Sequence, residues 1–140
     1  MNRRSMMKSA TAASLLPLAS LSSHASDVTP ETVYELRVYH LNEGKLPLIL
    51  KRFREKETKI FERCGMTNIV FWTPTEEPLA GKTLTYIVRH ASREAARQNW
   101  AKFSADPEWV ALKAESEKDG PFVATRESTF LKLTDFSPML

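Results

Sequence analysis

The chain has 140 residues, enough for one domain, and its hydrophobic fraction of 42% is that of an ordinary globular core. The formal net charge of +3 arises within residues 1–25, which hold three basic residues and no acidic one. Beyond them the 20 basic residues of the chain fall to 17, against 17 acidic residues. A domain with balanced charge lacks the basic surface on which nucleic-acid binding depends, so we exclude that function class.

Residues 1–25 have the features of a secretory signal peptide: a basic start, a mildly apolar run, and small residues at Ser23 and Ala25. The run is too short and too polar to form a stable membrane span. The pair Arg3-Arg4 resembles a twin-arginine export signal, while a general secretory signal, or a start at a later methionine, stays an alternative. We therefore expect an exported, periplasmic protein.

After a short linker over 26–31, the segment TVYELRVYHL at 32–41 alternates in the manner of a β-strand. Side chains alternate between the two faces of a strand, so one face carries Tyr34, Leu36 and Val38 and the other Glu35, Arg37 and Tyr39. The face with Glu35 and Arg37 is unusually polar for a strand that we expect at the centre of a sheet.

An apolar stripe at helical spacing runs from Leu46 to Cys64 and predicts one helix, with Pro47 in its first turn and Gly65 in the left-handed position that ends it. Arg52 and its charged neighbours are predicted to form the solvent-exposed face of this helix. Cys64 is the only cysteine, which excludes an intramolecular disulfide and favours a buried structural thiol.

Two further strands are predicted at 67–74 and 83–90, followed by a helix that Ser92 caps and by a last strand over 122–133. Between the helix and the last strand lies the segment SADPEW, in which two carboxylates flank a proline. These carboxylates, Asp106 and Glu108, would form a catalytic pair only if both pointed into one cavity. Asp106 is also a favourable N-cap, and a proline suits the first helical position, so we interpret the segment as the start of another helix.

The order strand, helix, strand, strand, helix pair, strand over residues 32–138 predicts an α+β fold of the ferredoxin-like βαββαβ type. Such a fold has a four-stranded antiparallel sheet with helices on one face. We expect the first and third strands to be neighbours at its centre, parallel to each other. The uncovered face would carry Trp72 or Phe71, and Ile87 or Tyr86, which is too apolar to stay in water and predicts a homodimer.

Several stretches resemble the NIPSNAP family: YELRVYHL with the following Gly44-Lys45, FW at 71–72, LTYIVRHASREAARQNWAKFSADPEW, and ESTFLKLTDFSP. The resemblance covers residues 32–138, and DPEW and TDFSP are its most specific parts. It implies membership of the dimeric α/β-barrel superfamily, in which two ferredoxin-like sheets pack face to face. It implies a fold and a dimer but no particular reaction.

The polar face of the first strand is where we expect chemistry. Glu35 and Tyr39 are candidates for proton transfer, and Arg37 and Arg89 for binding an anionic group. We expect Arg89 and Glu127 to share that side of the sheet. The alternative is a network of paired charges that only stabilises the interface.

Trp72, His40 and His90 complete the candidate ligand-binding residues. On parallel neighbouring strands the two histidines would lie at the same end of the sheet. A zinc site needs three or four ligands, and the sequence offers no third, so we predict neither a metal nor a cofactor.

Three functions stay open at this point. The first is a homodimer that binds a small molecule in the barrel cavity. The second is a cofactor-independent enzyme, similar to a monooxygenase or an isomerase, that uses the polar strand face. The third is a structural partner of another exported protein.

Overall fold

The structure, a computed structural model, describes residues 28–138 of the chain, so the predicted signal peptide lies outside it. The elements follow the predicted order, except that a π-helical segment divides the first helix. In chain order they are β1 (Val33–Leu41), α1 (Leu46–Arg52), the π segment (Phe53–Glu57), α2 (Thr58–Arg63), β2 (Thr67–Trp72), β3 (Thr83–His90), α3 (Arg93–Ala105), α4 (Pro107–Ser116) and β4 (Val123–Leu131). No helix in this part of the chain is long and apolar enough to cross a bilayer.

The four strands form one sheet in the order β2-β3-β1-β4, and every neighbouring pair is antiparallel. The ferredoxin-like α+β plan is therefore confirmed, with β1 and β3 at the centre. The prediction that these two strands are parallel was wrong, because Tyr34 pairs with Arg89 and His40 with Thr83. The first helix returns the chain so that β2 runs in the direction of β1, and the loop between β2 and β3 then reverses it.

The helices cover one face of the sheet, and the core lies between them and that face. Of the residues offered for the other face, Trp72 and Ile87 lie there, on alternate positions from the core. Phe71 and Tyr86 instead point toward the helices, where they stack on each other at 5.4 Å between ring centroids. The face that the helices leave uncovered is called the open face below. Its aliphatic and aromatic side chains are Tyr34, Leu36, Val38, Val70, Trp72, Ile87 and Leu131.

The start of α4 confirms the structural interpretation of SADPEW. A side-chain oxygen of Asp106 accepts a hydrogen bond from the backbone N–H of Trp109 at 3.1 Å, and the same carboxylate binds Arg63 at 2.8 Å. These bonds hold the pKa of Asp106 below its ordinary value. Glu108 forms an ion pair with the same arginine at 3.2 Å. Both carboxylates are thus engaged in joining α2 to α4.

The end of the first helical region also follows the sequence. Gly65 has a φ of 100°, the left-handed conformation in which glycine is favoured. Cys64 is buried as predicted, and burial raises the pKa of its thiol, which makes it a poor nucleophile.

The π segment changes which charged residues of this region face the core. Arg52 was predicted to be exposed, but its side chain is only 5% accessible and forms an ion pair with Glu57, itself 2% accessible. In a π-helical turn, residues five apart lie above one another, so Arg52 and Glu57 share the inward side. The prediction that Arg52 is exposed was therefore wrong. The extra residue in the π-helical turn changes which side chains face the core.

Candidate functional site

The polar face of β1 is the face that the helices cover. Glu35, Arg37 and Tyr39 occupy every second position of β1, so all three side chains point inward. They contact side chains of β3, β4 and α3. The predicted grouping of these three residues on one side is therefore correct. The chemistry that they allow lies inside the protomer, between sheet and helices.

Glu35 is fully buried and accepts four side-chain hydrogen bonds. Its Oε1 accepts from Trp100 Nε1 at 2.6 Å and lies 3.0 Å from His90 Nε2. Its Oε2 accepts from Arg37 Nη1 at 2.7 Å and from Ser128 Oγ at 2.8 Å. Burial alone would raise the pKa of Glu35, but these bonds outweigh it and hold the pKa at about 2.

His90 is held in one tautomer by a fixed donor on its other nitrogen. The amide nitrogen of Asn99 donates to the backbone carbonyl of Gly65 at 3.1 Å and lies 3.1 Å from His90 Nδ1. Because the amide nitrogen of Asn99 can only donate, His90 Nδ1 accepts the hydrogen bond from it. The ring proton of His90 therefore lies on Nε2, which donates a hydrogen bond to Glu35. These four donors compensate the buried charge of Glu35, and the network stabilises the fold.

A cavity of about 610 Å³ opens beside this network, between the inner face of β1 and β4 and the helices α3 and α4. Its walls combine aromatic rings with four basic and two acidic side chains. The residues that line it are Arg37, Tyr39, Arg52, Glu57, Trp100, Phe103, Ser104, Trp109, Val110, Lys113, Ala114, Glu117, Pro121, Val123 and Arg126. This volume lies within the range found for small-molecule sites.

The Arg52–Glu57 pair forms one end of the cavity. Arg52 Nε donates to Glu57 Oε2 at 2.8 Å, and Arg52 Nη1 donates to Ser116 Oγ at 3.0 Å. The guanidinium lies between two rings, 4.9 Å from the centroid of Trp109 and 4.6 Å from that of Phe122. Burial raises the pKa of Glu57 to about 7, against the lowering effect of Arg52.

Tyr39 also lines this cavity. Its oxygen accepts hydrogen bonds from Tyr86 Oη at 2.7 Å and from Arg37 Nη2 at 3.3 Å. With both of those donors on the oxygen, neither bond uses the Tyr39 proton.

The remaining predicted site residues do not join this cavity. Arg89 and Trp72 lie on the open face, and Glu127 lies there too, so the expectation that Arg89 and Glu127 share the side of Glu35 was wrong. The register of an antiparallel pair puts His40 and His90 at opposite ends of β1 and β3, not at one end. His40 is partly exposed and lies 2.9 Å from the Glu127 carboxylate. Among residues 28–138, no three His, Cys, Asp or Glu side chains are placed to hold a metal ion.

Sequence reasoning did not assign the cavity residues Glu57, Arg52 and Arg126 to a site. A signal existed for Glu57, because it interrupts the apolar stripe of the first helix between Phe53 and Ile60. A carboxylate at a stripe position is predicted to be buried, and buried charge marks a site more often than exposed charge does. No comparable signal points to Arg126, whose role depends on where β4 lies.

Comparison with known proteins extends these observations. The family model described as NIPSNAP matches residues 34–138. An uncharacterized NIPSNAP-like domain protein from Burkholderia xenovorans has the same fold, with 19% identity, a TM-score of 0.67 and coverage of 79% of this chain and 91% of that chain. A NIPSNAP family protein from Agrobacterium tumefaciens str. C58 is 24% identical with a TM-score of 0.66, over 78% and 99% of the two chains.

A monooxygenase from Streptomyces coelicolor, solved in complex with nanaomycin D, is more distant. It is 15% identical with a TM-score of 0.51, over 82% of this chain and 97% of that chain. At these identities the likeness concerns the fold alone. No functionally curated protein matches the chain significantly.

Proposed function

The chain belongs to the NIPSNAP family, and on this premise we propose that it is an exported homodimer in which each protomer binds one small, planar, anionic molecule between its sheet and its helices. The observation that carries the proposal is the cavity of about 610 Å³ with aromatic walls and an excess of basic side chains. Pockets that bind small molecules have this size and combine apolar walls with a few polar groups that fix orientation.

The walls favour a flat ligand. Trp100, Phe103 and Trp109 form one continuous aromatic group, in which Phe103 stacks on Trp109 at 4.4 Å and meets Trp100 edge-on at 5.7 Å. Aromatic rings pack best against other rings and conjugated planes. A planar apolar body of one or two rings is therefore the shape that this surface accommodates.

The charges favour an anion. Arg37 and Arg52 already have carboxylate partners, but no ion pair within residues 28–138 involves Arg126 or Lys113. Arg126 also lies 5.6 Å from the ring of Tyr39, which directs its guanidinium over the cavity. A carboxylate or phenolate on the ligand would give these cations a partner.

We expect 2-naphthoate to bind, and the cavity-filling variant Ala114→Phe to bind at least tenfold more weakly. Ala114 lines the cavity from the exposed side of α4, so a larger side chain there occupies the space without entering the core. Isothermal titration calorimetry measures both affinities. Arg126→Gln should weaken 2-naphthoate by roughly tenfold, about the loss of one charge-assisted hydrogen bond, and leave neutral 2-naphthylmethanol unchanged.

The matched control is Ala111→Phe, on the same helix but outside the cavity lining. It should bind 2-naphthoate as the wild type does. Equal affinity in Ala114→Phe and Ala111→Phe would show that the ligand binds elsewhere and would contradict the proposal.

The homodimer is proposed from the open face. Trp72 is 49% exposed and Leu131 39% exposed in the single protomer, and both lie on the sheet side that the helices of residues 28–138 leave uncovered. Apolar side chains exposed on one face of a sheet are costly in water and are buried when a second copy packs on them about a two-fold axis. Such a dimer leaves the cavities, on the other side of each sheet, accessible.

Ile87→Asp, at the centre of the open face, should convert the dimer into a monomer at micromolar concentration, because it places a charge in the interface. Sedimentation velocity measures the change, and far-UV circular dichroism verifies the fold. Leu79→Asp is the control, since Leu79 is 44% exposed but lies in the loop between β2 and β3. A monomeric wild type would contradict the dimer.

Export belongs to the same proposal and is supported by the signal-like composition of residues 1–25. The mature chain would then begin near Ser26. Recovery of the full-length chain from the cytoplasm would overturn this part of the proposal.

A further inference from the structure

Glu57 is a buried carboxylate in the wall of the cavity. It lines the cavity, and its side chain is only 2% accessible. Within residues 28–138 the carboxylate of Glu57 accepts one hydrogen bond, from Arg52 to Oε2. Its other oxygen, Oε1, has no donor in this part of the chain. Glu35 differs in both respects, since that carboxylate has four donors and is not among the residues that line this cavity.

The charges around Glu57 come from three elements. Arg52 of α1 is its partner, Glu117 follows α4 and lies 3.5 Å from Arg52 Nη1, and Arg126 belongs to β4. Burial and the Glu117 charge raise the pKa of Glu57, while Arg52 and Arg126 lower it, with the result of about 7. Near neutral pH this carboxyl therefore exists in both protonation states, as acid–base catalysis requires.

We infer that Glu57 is the acid–base residue of the cavity and transfers a proton to and from a bound aromatic carbonyl compound. This inference rests on the proposed binding function and adds a reaction to it. Proton abstraction next to a carbonyl needs a base in a dry site and a donor for the developing oxyanion. Glu57 supplies the first, and the hydroxyl of Tyr39, a residue that lines the same cavity, supplies the second.

The reaction balances without an oxidant. The Glu57 carboxylate takes a proton from the carbon next to the carbonyl, the C–H electron pair forms the C=C bond, and the carbonyl π pair moves to oxygen. The resulting enolate oxygen accepts a hydrogen bond from Tyr39. Glu57, now a carboxylic acid, returns the proton to the same carbon or to another one, which gives exchange or isomerisation.

Phenylpyruvate is the probe, because it joins an aromatic ring and a carboxylate to an acidic C–H at C3. In D₂O the wild type should accelerate deuterium incorporation at C3 above the buffer rate, as followed by proton NMR. Glu57→Gln should retain phenylpyruvate binding by calorimetry and lower the exchange rate by about 10²-fold or more. Glu115→Gln, on the exposed side of α4, should exchange at the wild-type rate.

The pH profile supplies a second signature. The wild-type rate should rise with pH as Glu57 loses its proton and become constant above neutrality. Glu117→Gln should move the midpoint to lower pH, because the removed charge is one that raises the pKa of Glu57. Binding of phenylpyruvate without faster exchange, or equal exchange in Glu57→Gln, overturns the inference and leaves the binding function intact. Absence of binding in the wild type overturns both.

Discussion

Glu35→Gln is expected to lower the free energy of unfolding by about 3–5 kcal/mol, the usual consequence of removing one partner of a buried ion pair. The substitution leaves Arg37 buried without its anion. In the wild type each carboxylate oxygen of Glu35 accepts from two donors. The glutamine would put an NH₂ group, itself a donor, in place of one of these oxygens, so two donors would lose their acceptor. Urea denaturation at a fixed protein concentration measures the loss, since a dimer unfolds in a concentration-dependent way.

The same residue predicts how wild-type stability depends on acid. The pKa of Glu35 in the folded chain is about 2, below its ordinary value of 4.5, so its contribution is present above pH 4.5 and is lost as the pH falls toward 2. Glu35→Gln should lack this part of the acid transition. Glu43→Gln, an exposed turn residue, should stay within about 0.5 kcal/mol of the wild type. A loss of less than about 1 kcal/mol in Glu35→Gln would contradict the four-donor arrangement.

Arg52→Leu is the second large effect and should cost about 3–5 kcal/mol at pH 8. The variant removes the only hydrogen-bond donor to Glu57 found in residues 28–138 and leaves two carboxylates, Glu57 and Glu117, close together in the core. It also removes the guanidinium packed between the rings of Trp109 and Phe122.

The loss in Arg52→Leu should depend on pH with a defined sign. The pKa of Glu57 is raised, so its contribution to stability is fully present below its ordinary value of 4.5 and is lost as the pH rises through about 7. Without Arg52 this pKa rises further, and the variant should be less impaired at pH 5 than at pH 8.

Two controls isolate the ion pair. The double variant Arg52→Leu with Glu57→Gln should recover most of the stability at pH 8, because position 57 then carries no unpaired charge. Arg54→Leu, an exposed arginine two positions away, should change stability by about 0.5 kcal/mol or less. Equal unfolding free energies for the Arg52 and Arg54 variants would disprove the buried pair.

Much of the fold was predictable because its signals are local. Alternation along 32–41 identified β1 and separated its two faces, although it did not say which face points inward, and the caps Ser92 and Asp106 fixed where α3 and α4 begin. The open face was predicted from the one-sided helix cover, although only the register of β2 and β3 decided between neighbouring residues such as Phe71 and Trp72.

The site was less predictable because it depends on distant contacts and on one backbone irregularity. Glu35 and Trp100 are 65 positions apart, and Glu35 and Ser128 are 93 apart, so no local pattern indicates that they bind one another. The π segment adds one residue to a helical turn, and this extra residue brings Arg52 to the inward side. The 3.6-residue spacing of apolar positions in the sequence does not reveal such a segment. The misplaced histidines have a simpler cause, since they followed from the parallel orientation assumed for β1 and β3.

Native mass spectrometry with 2-naphthoate tests the central claim most directly, because one spectrum reports both assembly and stoichiometry. Each protomer has its own cavity of about 610 Å³ between sheet and helices, so we predict a dimer that carries two ligand molecules, and much lower loading of the Ala114→Phe dimer at the same 2-naphthoate concentration. A dimer with a single ligand would place the site between the two sheets. That result, or equal loading of the wild type and Ala114→Phe, would contradict the account.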